Sequence, residues 1–317
     1  MTSKIFFSVD VHGSSIVWRK WIRAVEMYNV NVLILAGDLT GKVLVPIIKH
    51  SDGSWTARYF GKKWMFKTES EIREFEDRLE GAGVYYIRVD EKELEELKNN
   101  PKLVEEVINK KITERLRTWL DLLTSHVDTK SIITIVMPGN DDELFIDDII
   151  REYEDKGVIY PLDKVFEIEG HEVISSPYVN PTPWKTPREM DEKSLEKHLE
   201  NLVSKLRNVS SSIFNFHPPP FNTHLDLAPK LTRDLRPVVV AGQIQYEHVG
   251  SKAVRKIIEK YQPLIGMHGH IHESGGMDKI GRTIIINPGS EYSEGVLKGF
   301  IVEVDREKLV NYWRIEG

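Results

Sequence analysis

The stretch Val30–Ala36 constrains the fold most, because it is apolar on both faces. A strand of this kind must be covered above and below, which calls for a buried parallel strand in an α/β sheet. Before it, residues 4–9 form another apolar run of strand length that ends at Asp10-Val11-His12-Gly13. Ser14 or Ser15 can then cap a helix whose apolar stripe is Trp18, Trp21, Ile22, Val25 and Tyr28. Strand, helix and strand make a βαβ unit, in which chemistry gathers outside the carboxyl ends of the strands. The second strand ends in Gly37-Asp38-Leu39-Thr40, so Asp10, His12 and Asp38 are expected to be neighbours in space.

Residues 41–128 interrupt this pattern. An aromatic-rich segment (Trp55, Tyr59, Phe60, Trp64, Phe66) reads as a hairpin, and Glu69–Leu79 as a helix. After an apolar stretch at Val84–Val89 comes a long helical stripe of Val104, Ile108, Ile112, Leu116, Trp119 and Leu123, with Pro101 dividing the region into two helices. We expect 41–128 to be an inserted, mainly helical cap on a single 1–317 domain. Its lysines Lys62, Lys63 and Lys67 read as a solvated face.

The strand pattern returns at 131–137 and ends in Gly139-Asn140-Asp141-Asp142. A helix through Leu144, Ile149 and Tyr153 follows, then short strands near 157–160, 165–168 and 172–176. Residues 178–187 form a proline-rich loop, and Leu195, Leu199, Leu202 and Leu206 mark an amphipathic helix. A strand at 212–216 ends at His217, and Pro218-Pro219-Pro220 turns the backbone away. Val238–Ala241 reads as another buried strand, and Ser251 caps a helix to Tyr261. Residues 263–267 lead into Gly266-Met267-His268-Gly269-His270-Ile271-His272. If this stretch is extended, its three histidines share a face. Strands at 283–286, 300–304 and 310–315 close the chain.

The chain has 317 residues and no cysteine, so neither a disulfide framework nor thiolate chemistry is available. Its net charge of −6 gives no general attraction to nucleic acid or anionic membrane. No apolar run approaches the ~20 residues that span a bilayer, and the first ten residues do not read as a signal peptide. We expect a cytoplasmic protein with no membrane or nucleic-acid partner; an oligomer is left open.

Strand ends thus carry Asp10-x-His12, Gly37-Asp38, Gly139-Asn140-Asp141, His217 and Gly269-His270-x-His272. This ordered set resembles the calcineurin-like metallophosphoesterase superfamily, whose pattern is D-x-H, G-D, G-N-H-[DE], H and G-H-x-H. The match runs from residue 5 to about 290, leaving out 41–128. The resemblance implies a four-layer α/β/β/α sandwich and a site for two divalent transition-metal ions. Carried over block by block, Asp10, His12 and His272 hold one ion, Asp38 bridges, and Asn140, His217 and His270 complete the second. Carboxylates mixed with imidazoles suit Mn, Fe, Zn, Ni or Co. Two such ions ~3.5–4 Å apart clamp phosphoryl oxygens and activate a bridging hydroxide for in-line attack. The implied activity is that of a metal-dependent phosphoesterase acting on a small phosphoester, with Asp38, Asn140 and Asp141 as its catalytic positions.

One departure matters. Asp141 stands where many relatives place a histidine thought to protonate the leaving group or stabilise phosphoryl charge. A carboxylate beside two cations is ionised and has no proton to give. A phosphodiesterase acting on an organic or nucleotide phosphodiester is therefore expected over a monoesterase. The alternatives are a nuclease and a protein-interaction scaffold of the same fold with vestigial activity. His268 is expected behind the metal ligands rather than among them, His224 is a weaker candidate to face the site, and Asn287–Ser290 is expected to form a turn near the metals.

Overall fold

The computed structural model describes residues 2–317. The chain begins with β1 (Ser3–Ser8), α1 (Ser15–Tyr28) and β2 (Val32–Ala36). Then come β3 (Leu44–Lys49), β4 (Trp55–Tyr59), β5 (Lys62–Phe66), α2 (Glu69–Gly81), β6 (Tyr85–Asp90), α3 (Glu91–Asn99) and α4 (Pro101–His126). It continues through β7 (Ile133–Met137), α5 (Ile146–Arg151), β8 (Val158–Ile159), β9 (Phe166–Ile168), β10 (His171–Ser176), α6 (Glu192–Val203) and β11 (Ile213–Phe216). An excursion holds β12 (Leu227–Pro229), β13 (Val239–Val240), β14 (Gln243–Ile244) and β15 (Tyr246–His248). The chain closes with α7 (Lys252–Tyr261), β16 (Ile265–Met267), β17 (Gly276–Ile280), β18 (Thr283–Asn287), β19 (Lys298–Val304) and β20 (Leu309–Glu316).

Two six-stranded mixed sheets form the centre, in the orders β20-β19-β1-β2-β7-β8 and β17-β18-β16-β11-β10-β9. In the first, β1, β2, β7 and β8 are parallel and β19 and β20 close one side antiparallel. In the second, β18, β16, β11 and β10 are parallel between antiparallel edges β17 and β9. Alternation along the strands sorts side chains between layers. Val173, Ile213 and Ile286 join the first sheet's core with Phe7 and Leu33. Their chain neighbours Ile174, Phe214 and Ile285 face the other way, onto Leu195 and Leu199 of α6 and Val254 and Ile257 of α7. Helices α1, α4 and α5 cover the first sheet. The result is the expected α/β/β/α sandwich.

The helix signals in the sequence find their physical cause in the caps. Ser14 Oγ accepts the Val17 N–H at the start of α1, and Ser251 Oγ accepts the Val254 N–H at the start of α7. Asn100 caps α4, with Pro101 in its first turn. Within 41–128, a four-stranded sheet β5-β4-β3-β6 packs with α2 around its own small core of Val45, Ile47, Phe75 and Leu79. The aromatic hairpin is thus part of a larger sheet. Helix α4 differs from the rest of the segment, because Ile112, Leu116, Trp119, Leu120 and Leu123 enter the main core.

Two sequence expectations fail here. Val238–Ala241 is not a buried strand: it contributes the two-residue β13, paired only with β14, and Val239 and Val240 are more than half exposed. The histidine stretch is not extended either. Strand β16 ends at Met267, and His270 has a left-handed backbone (φ 67°). Between β11 and α7, β12 pairs antiparallel with β15. Among the described residues no helix is long and apolar enough to cross a membrane.

Candidate metal centre

The loops that follow β1, β2, β7, β11 and β16 meet at the carboxyl ends of the parallel strands of both sheets. They are bound to one another through backbone. Asp10 N–H donates to the Gly37 carbonyl (3.0 Å), His12 N–H to the Asp38 carbonyl (2.8 Å), and Gly269 N–H to the His217 carbonyl (2.9 Å). Asp10, His12 and Asp38 all have positive φ (55°, 39° and 47°), a conformation that costs non-glycine residues energy and clusters at functional sites. Gly37 (φ 110°) lies so close to His217 that a Cβ there would sit 2.0 Å from the ring Nδ1. The glycine of the Gly-Asp pair is thus required by close approach of the imidazole.

Asp142 fastens the loops after β2 and β7 together. Its buried carboxylate accepts N–H groups of Leu39 (2.9 Å), Thr40 (2.8 Å) and Gly139 (2.8 Å), and the Thr40 hydroxyl. Burial pushes its carboxyl above the ordinary range, with Asp38 adding to the effect and these hydrogen bonds opposing it.

Two groups of potential ligand atoms result, each with its atoms within 4.8 Å of one another: Asp10, His12, Asp38 and His272, and Asp38, His217 and His270. Asp38 belongs to both. Its Oδ2 lies 3.3 Å from His217 Nε2 and 3.6 Å from His12 Nε2, while its Oδ1 accepts the Asp141 N–H. His12 and His272 turn their Nε2 atoms toward each other at 3.1 Å. The Tyr292 ring lies against both. Asn140 follows β7 on the loop that also carries Asp141: its Nδ2 donates to Thr186 Oγ1 (2.9 Å), leaving Oδ1 buried and unpaired.

These residues fit a divalent cation. Asp10 Oδ1, Asn140 Oδ1 and His217 Nε2 are all buried without a hydrogen-bond partner, which is costly unless something else satisfies them. In the neutral His217 ring, Nδ1–H points to the Ala36 carbonyl (3.4 Å), which leaves the Nε2 lone pair toward Asp38 and Asp10. The protonation equilibria show the charge imbalance among these carboxylates and imidazoles. Burial pushes the Asp10 carboxyl up to about 7, against the pull of His217. Burial opposes the ionisation of Asp38, but His217, His12 and His270 outweigh it and hold that carboxyl well below its usual range. Burial would lower His217, yet the Asp38 and Asp10 carboxylates push it up to about 9. Burial lowers His270 to about 4 and His272 to about 3, so both are neutral and ready to ligate near pH 7.

Other candidates lie elsewhere or behave differently. His268 is buried, with Nδ1 2.8 Å from the Phe216 carbonyl, and belongs to neither group. It braces the loop after β16 against β11. His224 is 85% exposed and 3.9 Å from Asp278, away from the cluster. Ser290, in the turn after β18, donates its hydroxyl to the Asp10 carbonyl (2.6 Å). Asp141 is only partly buried, and its Oδ1 pairs with Lys42 Nζ at 2.6 Å. Sequence reasoning missed Lys42, Thr186 and Tyr292. The only signal for Lys42 was its position just after Gly37-Asp38-Leu39-Thr40-Gly41, and for Tyr292 its position just after the Asn287–Ser290 turn.

No protein-family model matches the chain. An uncharacterized protein of Methanocaldococcus jannaschii is 35% identical over 157 residues, a match that covers 49% of this chain and 62% of that protein. The chain therefore matches less than two thirds of that relative's length. One crystal structure superposes with a TM-score of 0.56 at 16% identity, covering 100% of this chain and 99% of the other. A crystal structure of a Thermus thermophilus protein gives 0.52 at 13% identity, with coverage of 100% and 99%. The likeness is one of fold. Both structures share the sandwich along nearly their whole length.

Proposed function

We propose that this chain is a metal-dependent phosphoesterase of the calcineurin-like type, with two divalent transition-metal ions, acting on a small organic or nucleotide phosphodiester. The observation that carries this reading is the membership of Asp38 in both ligand groups. A carboxylate with imidazole-rich partners on either side is the arrangement that pairs two ions, with Asp10, His12 and His272 on one flank and Asn140, His217 and His270 on the other. When bound, such ions polarise the phosphoryl group and lower the pKa of water.

The chain's own residues do the rest. Thr186 holds the Asn140 amide by its nitrogen, which leaves the carbonyl oxygen available to the second ion. Asp142 fixes the two loops that carry Asp38 and Asn140. The Asp141 carboxylate supplies no proton to a leaving group, which favours diesters and good leaving groups. In the remaining 41–128 segment, the sheet β3–β6 with α2 and α3 acts as a cap that limits substrate size.

The test compares bis-p-nitrophenyl phosphate with p-nitrophenyl phosphate in Mn²⁺, Ni²⁺ or Mg²⁺. Diester turnover with Mn²⁺ or Ni²⁺ should exceed monoester turnover, and Asp38→Ala should abolish both hydrolysis and Mn²⁺ binding. Faster monoester turnover sinks the diester preference. Metal binding without turnover of any phosphoester sinks the enzyme reading and favours a scaffold.

A further inference from the structure

Lys42 sits at the rim of the metal centre. Its Nζ lies 2.6 Å from Asp141 Oδ1, and Asp141 Oδ2 lies 3.9 Å from His12 Nδ1. The Asp141 backbone N–H in turn donates to Asp38 Oδ1 at 2.8 Å. The ammonium is therefore tied, through one carboxylate, to the residue shared by both ligand groups.

The stem that carries Lys42 is rigid. The N–H groups of Leu39 and Thr40 are fixed by Asp142. Gly41 packs backbone to backbone: a Cβ there would lie 2.2 Å from the Gly83 carbonyl oxygen and 3.0 Å from that of His12. Yet the side chains at the tip are accessible, 41% exposed for Lys42 and 24% for Asp141. An exposed ion pair contributes at most about 1 kcal/mol to stability. Stability therefore does not explain why a lysine is held on a fixed stem over this cluster. Its chemistry does: an ammonium is a compact point charge suited to phosphoryl oxygens.

We propose that Lys42 is a substrate-binding residue whose ammonium pairs with a non-bridging phosphoryl oxygen, supplying the positive charge that Asp141, in place of a histidine, cannot supply. The assignment rests on the phosphoesterase reading of the same site. Asp141 holds the ammonium in place before substrate arrives, and Lys42 neutralises a carboxylate that would otherwise repel an incoming anion. The two side chains are thus coupled. Loss of Lys42 alone removes an attraction and uncovers a repulsion, whereas loss of both removes only the attraction.

The test measures binding of inorganic phosphate to the Mn²⁺-loaded protein by calorimetry, alongside steady-state kinetics on bis-p-nitrophenyl phosphate. One charge-assisted hydrogen bond corresponds to about tenfold in affinity. Lys42→Ala should weaken phosphate binding and raise KM by at least about that factor, with Mn²⁺ affinity not weakened. Lys42→Arg should recover part of the loss. The Lys42→Ala/Asp141→Ala double variant should bind phosphate more tightly than Lys42→Ala. Phosphate affinity and KM unchanged in Lys42→Ala would overturn the proposal, as would a wild type that binds no phosphate. Phosphate binding that depends on Lys42, in a protein that hydrolyses no phosphoester, would overturn the enzyme reading and leave phosphoryl recognition by Lys42 standing.

Discussion

Asn140 shows how a single side chain can depend on a neighbour that no motif contains. An amide offers a donor end and an acceptor end, and only the oxygen suits a cation. Thr186 decides between them. Its hydroxyl donates to Glu189 Oε1 (2.9 Å), so its lone pair is free to accept Asn140 Nδ2. Glu189 is held in turn by the Thr186 N–H and the Thr182 hydroxyl. Thr186→Val keeps the shape and removes the acceptor, which frees the amide to turn. We expect Mn²⁺ affinity to fall about 10–100-fold for the ion near His217 and His270, as for other residues that orient metal ligands, and Thr186→Ser to retain most of it. An unchanged Mn²⁺ isotherm in Thr186→Val would show that Asn140 needs no such support. The sequence points to Asn140 because it follows an apolar strand inside an ordered series of strand ends. Thr186 is not legible there, because it lies in a proline-rich loop whose partners are set only by tertiary folding.

At the scale of elements, legibility followed length and capping. Helix α1 could be read because Ser14 and an apolar stripe at helical spacing agree, and β2 because it is apolar on both faces. The errors fell on short segments. Val238–Ala241 has the composition of a core strand, but only Val239 and Val240 form a ladder, with a partner as short as themselves. A run of four residues cannot specify burial when no second layer lies over it. The histidine stretch failed for another reason: alternation predicts a shared face only while the backbone stays extended, and here the strand stops at Met267. Helix α4 falls between the two cases. Its stripe was visible, but its destination was not. The Trp119 ring stacks on Trp18 at 4.7 Å, the Trp18 indole N–H donates to the Trp119 carbonyl, and the Trp119 indole N–H donates to Ser15 Oγ. These contacts make α4 part of the layer that covers the first sheet. Trp119→Ala should therefore cost about 3–5 kcal/mol, the usual loss for a large buried aromatic, measured by urea denaturation. A loss below about 1 kcal/mol would mean that α4 is peripheral and that the core stands without it.

At the scale of the whole molecule, two sheets that share one hydrophobic core bring carboxylates and imidazoles together at the carboxyl ends of their parallel strands. Asp10, Asp38 and His217 are buried almost completely, and several of their lone pairs have no partner. Such groups lost their hydration on folding without full compensation. A cation that binds the folded cluster and not the unfolded chain restores it, and by mass action raises stability by about 2.7 kcal/mol when free ion exceeds Kd 100-fold. Thermal unfolding of chelator-treated protein should therefore shift upward by several degrees on adding Mn²⁺, and return on adding excess EDTA. The variants then count the ions. Asp38 serves both groups, so Asp38→Ala should lose the whole Mn²⁺-dependent rise whatever its own melting temperature. His270→Ala touches only the second group and His272→Ala only the first, so each should keep part of the rise if two ions bind. A rise abolished equally by all three substitutions would point to a single ion held by the entire cluster, and no rise in the wild type would remove the metal centre from the account of this fold.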